Sequence, residues 1–300
     1  MKLSEKVKVA LEETRILIRG AQILLGFGSR GVFDDRFDQL SAYARYADGV
    51  ALGLLVCAIG LLIAPGPYHR IVEGGQDSGR LHRFATVIAD LALLPFALAL
   101  GLGLFVAIEA IFDDSAVSIA AGVTGAGLAL ALWYGLPRLR KRSVGEREQM
   151  ITRQSNERAD TPLHAKIEQL LTEARVVLPG AQALFGFQLA IVLTRAFEQL
   201  PKASASLLLV ALAVMMLMAP APYHRIVYAG EDTEDMYRVS SALVTGATLP
   251  LGLGLAGDVY VVIAKISGSF AIGSFTGGVA FVFLIGLWYL YPIIVARRSK

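Results

Sequence analysis

The feature that most constrains this chain is the length of its uncharged stretches. Residues 49–64 and 204–219 carry no charged side chain, and neither do residues 116–136 and 269–295. A backbone crossing a bilayer must satisfy its own polar groups, so apolar runs of about 18 residues or more form transmembrane helices. Apolar residues make up 55% of the chain and charged residues 18%, against about 25% charged in a soluble protein. The fold class expected is all-α, a polytopic membrane protein. The one cysteine, Cys57, lies inside an apolar run, which excludes an intrachain disulfide framework and a cysteine-based metal site. The first twenty residues lack a continuous apolar core with a cleavage site and include Glu5, Glu12 and Glu13. They are expected to belong to the mature protein rather than to a signal or transit peptide.

The chain also repeats itself. Residues 64–72 read APGPYHRIV and residues 219–227 read APAPYHRIV, identical at eight of nine positions at an offset of 155. Residues 13–27 match residues 173–187 at eight of fifteen positions, at an offset of 160. Farther on, Pro95 pairs with Pro250, Trp133–Tyr134 with Trp288–Tyr289, and Pro137 with Pro292. The organisation expected is a first repeat at 1–142, a polar linker at 143–160 and a second repeat at 161–300.

Four spans are read in each repeat, eight in all. The first begins as an amphipathic helix and enters the membrane near 16–33 or 176–194. The second, Gly49–Ala64 or Ser204–Ala219, reaches only about 24 Å at 1.5 Å per residue, short of a core of roughly 30 Å. The third, about 84–110 or 239–266, contains Pro95 or Pro250, where a kink is expected. The fourth, about 116–136 or 269–295, ends in Trp-Tyr and then Pro. With eight spans, 22 of the 28 Lys and Arg residues fall on one side, which the positive-inside rule makes cytoplasmic. Both termini and both PYHR phrases then lie there, each phrase opening a polar loop. An even span count makes the halves parallel repeats about an axis along the membrane normal.

The combination of E-x-R, P-G-x-Q and A-P-x-x-x-H-R, followed by a Trp-Tyr fourth span, resembles a family of small bacterial four-helix membrane proteins of unknown function. This chain looks like a tandem duplication of such a unit. The second copy keeps Pro179 of the pattern, where the first has Arg19. The resemblance covers about nine tenths of the chain. It implies a multi-pass location in the bacterial inner membrane and no known activity.

Few residues offer chemistry. His69, Arg70, His224 and Arg225 suit anion recognition, since the guanidinium is a planar fork for phosphate and an interfacial basic group attracts anionic lipid by about 1 kcal/mol. They also suit a positive-inside anchor with the tyrosine snorkelling, or a proton-sensitive contact of His69 with an acid. Asp90 and Asp258 sit at membrane depth, where an unpaired carboxylate is costly. They are not repeat-equivalent, because Asp90 aligns with Thr245 and Asp258 with Gly103. Pairing with a neighbouring helix and an ion pathway are both open. Gln22 and Gln182 are matched and suit interhelical hydrogen bonds or a polar lining. Glu13, Arg15, Glu173 and Arg175 are matched as well, each i, i+2 pair pointing to different faces. An ion-pair lock of Glu13 with Arg70 and of Glu173 with Arg225 is one arrangement.

The acidic run Glu231–Asp235 suits a helix N-terminus or a divalent cation. Glu109 and Lys265 are expected at the outer interface, and Asp34–Asp35 and Asp113–Asp114 in solvated loops. Gly49-x-x-x-Gly53, Gly122/Ala126 and Gly273/Gly277 have close-packing spacing. His69, His82, His164 and His224 form no zincin-type pair, so no metal, cofactor or nucleic acid is expected. The function expected is non-enzymatic, with lipid, a membrane partner or a second copy as the interacting species. The alternative is a transporter or channel with its path between the repeats. An intramembrane enzyme using His69 or His224 is the remaining class, for which no partner base or nucleophile has recognisable spacing.

Overall fold

The computed structural model describes residues 18–35, 37–112, 114–135, 165, 172, 179–184, 187, 204–220 and 233–298. Among them all regular structure is helical. Helix α1 occupies 18–31, and a 3-10 turn covers Phe37–Gln39. Then come α2 (Ala42–Ile63), α3 (Pro65–Ile71), α4 (Gly79–Phe112) and α5 (Ser115–Leu130), which runs into a π-turn at Ala131–Gly135. In the second half, 179–184 is helical, α6 spans Ser204–Met218, α7 Glu234–Ser267 and α8 Phe270–Ile285. A π-turn at Gly286–Leu290 leads into α9 (Tyr291–Arg298).

Among the described residues, five helical stretches are long and apolar enough to cross a membrane: Ala42–Ile71, Gly79–Phe112, Ser115–Gly135, Glu234–Ser267 and Phe270–Arg298. The short second span is resolved at both ends. Ser41 caps the helix by accepting from the Ala44 N–H (3.3 Å), so α2 starts seven residues before Gly49 and carries Arg45 and Asp48 in its first turns. Its other end does not stop at Ala64. That residue keeps helical angles (φ −53°, ψ −36°), and Pro65 at the first position of α3 tolerates its missing N–H there. The PYHR phrase is therefore helical in the first half, where a polar loop was expected.

Other starts follow capping chemistry. Asp114 accepts from the N–H groups of Ala116 (2.9 Å) and Val117 (3.2 Å), so this carboxylate is a cap rather than a free loop charge. Thr233 accepts from Met236 N–H (3.1 Å), and Glu234 and Asp235 occupy the first turn of α7, as a helix N-terminus favours. Both α4 and α7 continue through their interior prolines, Pro95 and Pro250, which are buried.

One core joins the halves. α2 packs against α4 of its own half and against α7 and α8 of the other. Small residues make these approaches possible. A Cβ on Gly60 would meet Leu284 Cδ2 at 2.7 Å, and one on Gly49 would meet Ile263 and Ile266 at 3.0 Å. Gly53 faces open space, so only the first glycine of that motif packs. Within the halves, a Cβ on Gly122 would meet the Gly101 carbonyl at 2.9 Å and one on Gly277 the Ala256 carbonyl at 2.9 Å, the same close approach at the repeat offset. At one end of the bundle Lys265 Nζ bonds both oxygens of Asp38, each at 3.1 Å. The PYHR phrase lies at the other.

A candidate functional site at the PYHR end

Two consequences of proline shape this end. Pro65 has no N–H for the Leu61 carbonyl. The Ala64 N–H turns to Leu61 instead (3.1 Å), an i−3 bond in place of the usual i−4, and the Gly60 carbonyl loses that donor. Trp288 of the second half supplies another: its Nε1–H donates to Gly60 O at 2.8 Å, fully buried. The matched position in the second half differs. There the Ala219 N–H keeps its i−4 bond to Met215 O (3.1 Å), and Met215 stands where the first half has Gly60. Trp133, the counterpart of Trp288, stacks on Phe96 instead (5.6 Å).

The interior prolines lie beside a related contact. Pro95 and Pro250 remove the donors that the carbonyls of Leu91 and Gly246 would take. In each half the tyrosine of the π-turn donates to the neighbouring carbonyl. Tyr134 reaches Asp90 O, and Tyr289 reaches Thr245 O at 2.6 Å. Thr248 Oγ1 lies 2.8 Å from the Tyr289 hydroxyl and 2.7 Å from Thr245 O, closing a small polar ring.

Arg70 completes the arrangement. Its Nε–H donates to Thr245 Oγ1 at 2.7 Å, so the arginine of the first phrase is a clasp onto the second half. The expected lock of Arg70 with Glu13 involves a residue outside the described ones. His69 is buried, as is Tyr68, because α3 packs both against the core rather than projecting them to solvent. The Tyr68 ring stacks on Phe84 of α4 (4.2 Å) and lies 6.2 Å from Tyr291 of α9. Beyond α3, Gly74 and Gly75 turn the chain at φ +59° and +79°, a region that costs glycine little. Ser78 then caps α4 by accepting from the Leu81 N–H (3.0 Å). Glu73 is buried in this turn, with Arg80 Nε 3.8 Å from its Oε1, an ion pair too long for a hydrogen bond. Among the described residues at this end, the exposed arginines are Arg80, Arg83, Arg238, Arg297 and Arg298.

The other sequence candidates scatter. Asp90 is exposed on α4 and Asp258 is buried on α7. Gln22 is fully buried, and a Cβ on Gly180 of the second half would overlap its carboxamide. Its amide makes no hydrogen bond among the described residues, whereas its repeat match Gln182 is exposed. The matched glutamines thus differ in burial. His224, Arg225, Glu13, Arg15, Glu173 and Arg175 lie outside the described residues. No group of three His, Cys, Asp or Glu side chains suited to a metal occurs among the described residues. The sequence reading missed Trp288 and Tyr289 as joining residues, although their repetition with Trp133–Tyr134 was the available signal.

Described residues whose regular structure is all helical, five of their helices apolar and of membrane length, define a class, the helical membrane proteins. The chain belongs to the family of unknown function DUF6328, whose model matches it twice, at residues 2–137 and 154–292. The double match agrees with a tandem duplication. Neither the curated proteins nor the solved structures contain a match to the chain.

Proposed function

We propose that the protein is a non-enzymatic inner-membrane protein of bacteria, with eight spans in two parallel four-helix repeats and both termini cytoplasmic. Its PYHR end meets the anionic lipid surface. One observation carries this reading: Arg70 clasps the second half at an end where five exposed arginines gather on α4, α7 and α9. Half-buried Arg70 holds the helices together, and the exposed guanidiniums take the phosphates. Packing of Trp288 and Leu284 against Gly60 favours a fixed joint over a solute path between the halves.

The test is lipid retention by purified protein, read by mass spectrometry. Replacing Arg80, Arg83, Arg297 and Arg298 by Ala is expected to release bound anionic lipid while the protein stays folded. Arg70→Ala is expected to lower thermal stability. Unchanged lipid in the quadruple variant would overturn the reading. Membrane-impermeant labelling of a cysteine placed at Gln149, in a Cys57→Ala background, checks the orientation; labelling from the cytoplasmic side only is expected.

A further inference from the structure

The exposed arginines at the PYHR end are not equivalent. Arg238 shares a face of α7 with Glu234 and Asp235, four and three residues before it, and all three are exposed. Its charge is therefore balanced within one helical turn. Arg80 and Arg83 on α4 lack that balance, as do Arg297 and Arg298 on α9. The first acid after Arg83 on α4 is Asp90, seven residues on, and α9 carries none. Glu73, which pairs with Arg80, is buried, while half of the Arg80 side chain stays exposed. At 3.8 Å that contact is too long for a hydrogen bond, so it positions the guanidinium and leaves donors for a phosphate.

Aromatic packing brings the two pairs together, although they belong to different halves. Tyr68 of α3 stacks on Phe84 of α4 (4.2 Å), and the Tyr291 ring of α9 lies 5.8 Å from Phe84. Val295 of α9 packs on the same cluster, which includes Leu81. Arg80 directly precedes Leu81, and Arg83 directly precedes Phe84. Arg297 and Arg298 follow Val295 by two and three residues, within one turn of α9. Two arginines from each half thus flank one aromatic contact. The matched place in the other half differs: the offset of 155 sets Asp235 against Arg80 and Tyr228 against Glu73. Reversal of charge at the matched position leaves one such site per chain.

We infer that this site holds a single lipid bearing two phosphates, one at Arg80 and Arg83 and the other at Arg297 and Arg298, so that its head group bridges the halves. The inference rests on the anionic-lipid reading and narrows it. Each pair of guanidiniums suits one phosphate through charge-assisted bonds. A lipid with one phosphate reaches only one pair. With two, the second phosphate binds intramolecularly once the first is held, which raises affinity.

Native mass spectrometry of the purified, delipidated full-length protein tests this, with cardiolipin and phosphatidylglycerol of matched acyl chains as probes. One cardiolipin per chain is expected, retained at about tenfold lower lipid concentration than phosphatidylglycerol. Removing either pair, as Arg80→Ala with Arg83→Ala or as Arg297→Ala with Arg298→Ala, is expected to bring cardiolipin to the phosphatidylglycerol level. Equal retention of the two lipids by native protein would overturn the inference and leave the anionic-lipid reading standing; retention of neither would overturn both. A cardiolipin preference that survives loss of either pair would also reject the bridge. If one pair variant does not fold, the other decides. Displacement of cardiolipin by inorganic pyrophosphate at equal concentration would assign the two-phosphate site to a soluble ligand and overturn the lipid.

Discussion

Pro65 has no N–H to give, and the effect reaches the far half of the molecule. The ladder of α2 shifts by one residue, Gly60 O is released, and Trp288 fills the vacancy. Trp288→Phe keeps most of the ring but leaves that carbonyl without its indole donor. A loss of about 1–3 kcal/mol is expected for a buried acceptor stripped of its partner, measurable as a lower midpoint in detergent-induced unfolding. Tyr289 offers a sharper test. If its hydroxyl serves a ladder opened by Pro250, Tyr289→Phe should cost about 1 kcal/mol in native protein and less in a Pro250→Ala background. A double-mutant cycle checks this, and strict additivity would contradict it. The repeated prolines and Trp-Tyr pairs were visible in the sequence. Their mutual contacts were not, because a hydrogen bond between residues 60 and 288 leaves no mark on local spacing.

The helices themselves were far more legible. Charge-free runs located α4, α5, α7 and α8, since the cost of a charge in hydrocarbon writes itself into sequence. Element ends were harder to read. The PYHR phrase looked like a helix stop because proline usually ends a helix, yet at the first position of α3 it does no harm. Glu109 looked like an interface residue, and it is buried because hydroxyls from two other elements reach it. Caps are the cheapest check on these boundaries. Ser78→Ala removes the acceptor for the Leu81 N–H at the start of α4. A loss of roughly 1 kcal/mol is expected, seen as faster amide exchange in the first turn of α4 with the distant α5 unaffected.

For the whole molecule, the halves are joined by several unlike contacts: the α2–α7–α8 packing, Arg70 to Thr245, Trp288 to Gly60 and Lys265 to Asp38. Cleavage at a protease site inserted in the linker 143–160 should leave two fragments that co-purify, since the joint does not need the linker. Separation on size exclusion would refute this. Lys265→Met should barely matter, by less than about 1 kcal/mol, because the Asp38 carboxylate is largely exposed and such pairs are weak. The doubling was legible from the start, but its departures from symmetry were not. Gln22 is buried and Gln182 exposed, although the two align.

Gly60 and Met215 carry that lesson furthest. In a dimer of identical units, each substitution is felt at both equivalent sites, so a glycine needed at one must be kept at the other. Fusing two units into one chain lifts that rule. One copy retains the gap that admits Leu284 and Phe283, and the other is free to fill it with methionine. Duplication here supplies the freedom for two related halves to take complementary parts, one as socket and one as plug.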